Sequence, residues 1–303
     1  MKEEKEIRDD EIRVIGDSDK QQPKSNKWLL AVIIGIVAIV GVAVWRVVHS
    51  ECKSIESEQI EPTYFEPQDS LQSADHNQTT RFGREVDATT PGFCEIRDTI
   101  INDIPLRLFI PHNAGMSLHV GRLNQQDSTI IYTAQAADIR RDNGKIVGAF
   151  VLNGEPLAWG LSKKGFCASI DGKVTVGVAD NSPLFEEATE RGGYFFRQYP
   201  LVKDGVLIEN EPKNKSVRRA ICDRQDEIFM VESLSKESFH DFAQALVDLG
   251  AEQAVYLVGS NAYGWAVDEQ SERHEFGEDN YYIGRHRMPA NTNYIVWRRK
   301  IVF

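Results

Sequence analysis

Cysteine is scarce in this chain: Cys52, Cys94, Cys167 and Cys222 are the only four in 303 residues, and none are paired at the spacing of a metal-binding knuckle. There is also no glycine-rich phosphate loop opening a helix, and no Ser-centred elbow of the kind that carries a hydrolytic triad. These absences remove zinc-ribbon proteins, P-loop nucleotide hydrolases and α/β-hydrolases. Net basic charge is lacking as well, with a formal charge of -11. Residues 1–53 hold nine basic and nine acidic side chains, so that charge belongs entirely to the remainder of the chain. An acidic body of this kind argues against nucleic acid as a partner.

Only one long hydrophobic run exists, WLLAVIIGIVAIVGVAVW from Trp28 to Trp45, extended by Val47 and Val48 past Arg46. As a helix of eighteen to twenty-one residues it would reach roughly 27–32 Å, the span of a hydrocarbon core. Tryptophan at both ends suits the two headgroup zones, Arg46 can snorkel outward, and no cleavage site of small residues follows. The run therefore predicts an uncleaved transmembrane helix over 28–48. Lys20, Lys24 and Lys27 precede it and Arg46 and Lys53 follow, which favours a cytoplasmic arm over 1–27 and an extracytoplasmic or periplasmic body. Residues 49–90 are rich in Ser, Glu, Gln, Asp and Pro without apolar period and read as a flexible stalk.

The remainder, 91–303, shows short apolar runs separated by turn dipeptides, the pattern of hairpins rather than of a helical bundle. Asp142-Asn143-Gly144, Asp171-Gly172 and Asp204-Gly205 each stand between two such runs. Two helices interrupt them. One is capped at Ser182-Pro183 and stopped by Gly192-Gly193; the other spans Ser235 to Leu249, with Phe239, Phe242, Ala243, Leu246 and Val247 on one face. The expected class is α+β, with mixed β-sheets flanked by a few helices and preceded by one transmembrane helix. In an oxidising compartment a Cys94–Cys167 disulfide and buried free thiols both fit.

One unit carries a resemblance. LVKDGVLIEN, then RRAICDRQDEIFMVES, then a helix ending in LGA and a strand running into LVGSNA, is similar in order and spacing to the phosphodiester glycosidase domain family. Members of that family show an "LV.DG" hairpin, an "RTAIG" strand, an "LGA" helix end and an "LDGGGS" loop. Arg218 falls on the family arginine and Cys222 on its glycine, while Val258 stands where the family has its loop aspartate. Ala134-Gln135-Ala136-Ala137-Asp138 falls where members carry "NGGFF". The resemblance implies a membrane-anchored enzyme acting on, or descended from enzymes acting on, sugar phosphodiesters. The alternative is a non-catalytic domain of the same fold that binds a glycan or an envelope partner.

The chemistry names the side chains to look for. Splitting a sugar from a phosphodiester develops positive charge at the anomeric carbon and releases a phosphate that needs little protonation. A carboxylate beside the sugar and a cation or backbone nest at the phosphate answer those demands. Arg218 and Asp138 are the catalytic candidates, and Gln135, Gly259, Ser260 and Asn261 the substrate-binding ones. A carboxylate within about 4–6 Å of Arg218 across a pocket would mark catalysis; an aromatic groove without one would mark binding. His274, Glu275, Glu278, Asp279, Arg285, His286 and Arg287 crowd together, but their spacing matches no metal motif and favours a solvated loop.

Overall fold

The computed structural model describes residues 81–279 and 288–300. The arm, the apolar run 28–48, the stalk to residue 80, and Arg285, His286 and Arg287 lie outside the described residues. Among the described residues no helix is long and apolar enough to cross a membrane.

The chain begins with β1 (Phe93–Ile101), β2 (Ile104–His112), β3 (Ala114–Val120), β4 (Ile130–Gln135), β5 (Ala149–Leu152) and β6 (Glu155–Trp159). It continues through β7 (Gly165–Ile170), β8 (Lys173–Val178), α1 (Leu184–Glu190), β9 (Tyr194–Gln198), β10 (Pro200–Lys203) and β11 (Val206–Leu207). The last third holds β12 (Arg219–Arg224), β13 (Glu227–Ser233), α2 (Phe239–Asp248), β14 (Gln253–Leu257), β15 (Gly264–Val267), β16 (Arg273–Phe276) and β17 (Asn293–Arg299). Three sheets result, in the orders β1-β2-β13-β12-β14-β10-β11, β16-β15-β4-β17-β3 and β6-β5-β9-β7-β8.

The expected α+β class holds in part: sheets with a few helices form, but strands dominate, and every strand pair among the described residues is antiparallel rather than mixed. The reason lies in α2. It carries the chain from β13 across to the far side of β12, so β13 and β14 run the same way with β12 between them.

Two of the three expected hairpins form. Ile170 pairs with Lys173 around Asp171-Gly172, and Lys203 with Val206 around Asp204-Gly205. All four turn residues have positive φ, as a two-residue turn of this hand requires. The Asp142-Asn143-Gly144 hairpin does not form. Both edges of β4 are already taken, by β17 and β15, so β5 joins another sheet and only Ile139 bridges to Ile146.

Alternation along β12 and β14 divides the interior. Ala220, Cys222, Ala254 and Tyr256 face α2, whose Phe239, Phe242, Ala243 and Leu246 complete that core. Ile221, Val255 and Leu257 face the opposite way, against Ile131, Tyr132, Ala134 and Ile295 of the second sheet. The helix is shorter than the periodicity predicts. Ser216 and Glu237 bridge as extended chain, and the Ser238 hydroxyl accepts from the Asp241 N–H at 3.0 Å, setting the cap there instead of at Ser235. Cys94, Cys167 and Cys222 are buried free thiols, so the Cys94–Cys167 disulfide is not formed. Residues 81–90, assigned above to the stalk, pack on the domain. Phe82 meets Phe229 edge to face, and the N–H groups of Phe82 and Gly83 each donate to the Glu227 carboxylate at 2.9 Å.

Candidate functional site

β4 and β14 end side by side. The Val258 N–H donates to the Gln135 carbonyl at 3.0 Å, which joins the segment Ala134–Asp138 to the loop after β14. The Ser260 N–H donates to the Val217 carbonyl at 2.8 Å, bringing in the chain just before Arg218. Gly259 lies so close there that a Cβ would meet the Val217 oxygen at 2.2 Å, and its N–H donates to the Tyr256 hydroxyl at 3.1 Å. Ser260 holds φ +55 in the next position and, like Asn261, is exposed. The end of β4 and the loop after β14, which hold Gln135 and Gly259, Ser260 and Asn261 picked from the sequence, are thus neighbours.

Arg218, just before β12, and Arg219, its first residue, point to opposite faces, as period two requires. Arg218 stacks over Phe239 at 4.0 Å and lies 5.9 Å from the Tyr256 ring centre. Its Nε donates to the Glu237 carbonyl at 3.0 Å and its Nη2 to the Asn214 carbonyl. Glu237 thus offers a main-chain oxygen, its carboxylate instead accepting from the Ser235 hydroxyl at 2.6 Å. The guanidinium that was to clamp a phosphate is committed to the protein's own carbonyls and rings. Arg219, on the other face, is 1% exposed, pairs through Nε with Glu232, and donates from Nη1 to the carbonyls of Val258 at 3.2 Å and Ala262 at 2.7 Å. It holds the loop from beneath.

Asp138 is half-buried and pairs with Lys163, a residue the sequence did not single out. Lys163 sits in the left-handed region at φ +74, its carbonyl held by the buried Arg197 at 3.1 Å. Its ammonium lies 4.0 Å from the centre of the Tyr199 ring and donates to Gln198 Oε1 at 2.6 Å. Burial pushes its pKa down, and the nearby Asp138 carboxylate opposes that only in part. Tyr199 continues the chain of contacts, 5.4 Å from Phe239 and 6.4 Å from Tyr256. Asp138, Lys163, Tyr199, Tyr256 and Arg218 therefore form one connected aromatic and charged arrangement beside the loop. Burial raises the Tyr199 pKa, with Asp138 and Glu211 adding to it. Nothing in the run Ser162-Lys163-Lys164-Gly165 marks Lys163 as inward, because an unusual φ leaves no sequence signal when the residue is not glycine or asparagine.

The carboxyl-terminal cluster separates. His274 pairs with Asp268 at 2.7 Å, Glu275 with Arg273 at 3.0 Å, and Asp279 accepts from Gln125 at 2.7 Å. Donor atoms of Asp268, Glu272 and His274 lie within 4.8 Å of one another, at the side of a polar cleft of about 380 Å³ lined also by Arg84, Glu95 and Arg107. Glu278 stays near the candidate site, its N–H donating to the Asn261 carbonyl at 3.1 Å. A separate groove of about 600 Å³ is lined by Trp159, Leu161, Pro183, Phe185 and the buried Arg197.

No family model and no curated protein matches this chain. Among solved structures, the catalytic domain of zebrafish N-acetylglucosamine-1-phosphodiester alpha-N-acetylglucosaminidase, auto-inhibited by its pro-peptide, superposes with a TM-score of 0.50. The likeness is one of fold. Identity is 10%, over 69% of this chain and 83% of the zebrafish one. A hypothetical protein from Synechocystis gives a TM-score of 0.45 at 12% identity, over 69% of this chain and 62% of that one. The phosphodiester glycosidase resemblance of the β12–β14 unit thus has its counterpart in the architecture of the domain.

Proposed function

We propose that the domain hydrolyses sugar phosphodiesters at the junction of the 134–138 and 258–261 segments. The observation that carries this reading is the Val258–Gln135 hydrogen bond, which joins the segment bearing the half-buried Asp138 to the loop after β14, where Ser260 and Asn261 are exposed. Asp138 would face the positive charge developing at the anomeric carbon, and Gln135, Ser260 and Asn261 would hold the sugar hydroxyls. Arg218 would act from behind, fixing Tyr256 and α2, rather than by touching phosphate. The zebrafish enzyme's name describes a substrate of this class, and its fold supports the assignment. The test is release of free sugar from UDP-linked N-acetylglucosamine by the full-length chain, with Asp138→Asn in parallel. Turnover that the variant loses establishes the reading; none across a panel of sugar phosphodiesters removes it.

One observation favours a second reading, glycan binding without catalysis. The guanidinium of Arg218 is occupied by the carbonyls of Glu237 and Asn214, and by the resemblance Val258 would stand in place of the family's loop aspartate. Retained affinity for a non-hydrolysable sugar phosphonate, with no turnover of the natural diester, would select it. In either reading, residues 28–48 would anchor the chain with its amino terminus in the cytoplasm and the domain outside. Protease accessibility of the domain in intact cells tests that placement.

A further inference from the structure

Gln198, at the end of β9, has no solvent exposure and an amide whose two ends are treated unequally. Its Oε1 accepts from Lys163 Nζ at 2.6 Å and from the Tyr199 N–H at 3.0 Å. Both partners are donors, so the amide cannot be turned around: the oxygen must face them. Nε2 is then left buried with no hydrogen-bond partner. A buried donor without an acceptor destabilises the folded state, and folded proteins keep few of them. Covalent geometry holds Nε2 within about 2.3 Å of Oε1, and so within about 5 Å of the Lys163 ammonium.

Both groups that reach this amide through its oxygen are donors. An ammonium has three N–H groups; Asp138 and Gln198 take two, and the ring of Tyr199 lies below the remainder. The backbone of Lys163 adopts an unfavourable φ of +74 and is tied by Arg197, which turns the side chain inward, away from solvent. Asp138, the other partner of that ammonium, is about one-third exposed.

We infer that Gln198 Nε2 and the Lys163 ammonium together form a subsite for a phosphate-class oxyanion, entered past Asp138. An oxyanion supplies the acceptor that Nε2 lacks and a second negative partner for Lys163, with charge-assisted hydrogen bonds to both. Asp138 and the anion share that ammonium, so the carboxylate opposes the ligand while the lysine attracts it. The inference deepens the proposed activity, on which it rests only in naming this anion as the phosphate side of the diester.

The experiment is calorimetric titration of the full-length chain with inorganic phosphate, which needs no turnover. The wild type should bind; Lys163→Met should abolish binding and Gln198→Leu weaken it about tenfold or more, while Asp138→Asn should tighten it several-fold as the competing carboxylate disappears. Urea melts establish that each variant folds; should Gln198→Leu not fold, the opposite effects of the Lys163 and Asp138 variants still decide. No binding in both the wild type and Asp138→Asn overturns the proposal. So does binding indifferent to Lys163 and Gln198, Nε2 then being a place for bound water only. Phosphate binding without sugar release sinks the hydrolase reading and leaves this one standing; sugar release with no phosphate binding does the reverse.

Discussion

Arg219 donates to the carbonyl of Ala262 at 2.7 Å from a side chain that also pairs with Glu232 in the interior. The loop after β14 is therefore held by a charge that the strand beneath it neutralises. Removing one partner of such a buried pair strands the other, at a cost of about 3–5 kcal/mol. Arg219→Met should lower stability by that order in urea unfolding, and Arg219→Met/Glu232→Leu should recover most of it. A double variant no better than the single would mean that the guanidinium acts through the loop carbonyls, not through Glu232.

Gly259 has no room for a side chain, with the Val217 oxygen 2.2 Å from where a Cβ would stand. Gly259→Ala should cost about 1–3 kcal/mol by overpacking and displace Ser260 and Asn261. Urea melts give the first quantity, and sugar release or binding the second. An alanine variant of wild-type stability would show that the loop yields freely.

Asp138→Asn should reduce turnover by about 10²–10⁴-fold if the carboxylate serves the reacting sugar. A steady-state comparison with the wild type on one sugar phosphodiester is sufficient. Equal rates would remove Asp138 from the chemistry and leave it as the partner of Lys163.

Lys163 gives a pH signature. Its folded pKa lies below the ordinary lysine value of 10.5 because burial outweighs the pairing with Asp138. Between the two values the unfolded chain binds more protons than the folded one, so stability contributed by this group rises as pH rises toward 10.5. Lys163→Met should remove that rise, and the difference between wild-type and variant urea curves across alkaline pH isolates it from other groups. A difference that falls with pH would place Lys163 in a net stabilising ion pair.

Period and turn chemistry made the β7–β8 and β10–β11 hairpins and helix α2 readable, because Asp-Gly turns and one apolar helix face report on neighbours in sequence. Partners far apart in the chain left no such trace. The sequence does not say that β17 would fill the place beside β4 that Lys145–Leu152 was expected to take. Alternation correctly implies that Arg218 and Arg219 oppose each other, yet what covers each face depends on α2 and Phe276, which only the assembled domain supplies. The loop residues were singled out by their resemblance to family motifs, and the fold brings those segments together. Lys163 and Gln198 were missed because a buried lysine and a buried amide are made unusual by their surroundings, not by their spelling.

The place of β17 has a consequence for how the molecule comes into being. It lies between β3 and β4, pairing Trp297 with Met116 on one side and with Tyr132 on the other. A nascent chain therefore carries open edges on β3 and β4 until β17 is made, about 160 residues after β4, and β2 waits about 115 residues for β13. Such distant closures are slow and leave strand edges available to wrong partners. The domain should thus depend on protection during synthesis, and should reach its native form only after residue Arg299 is free of the ribosome.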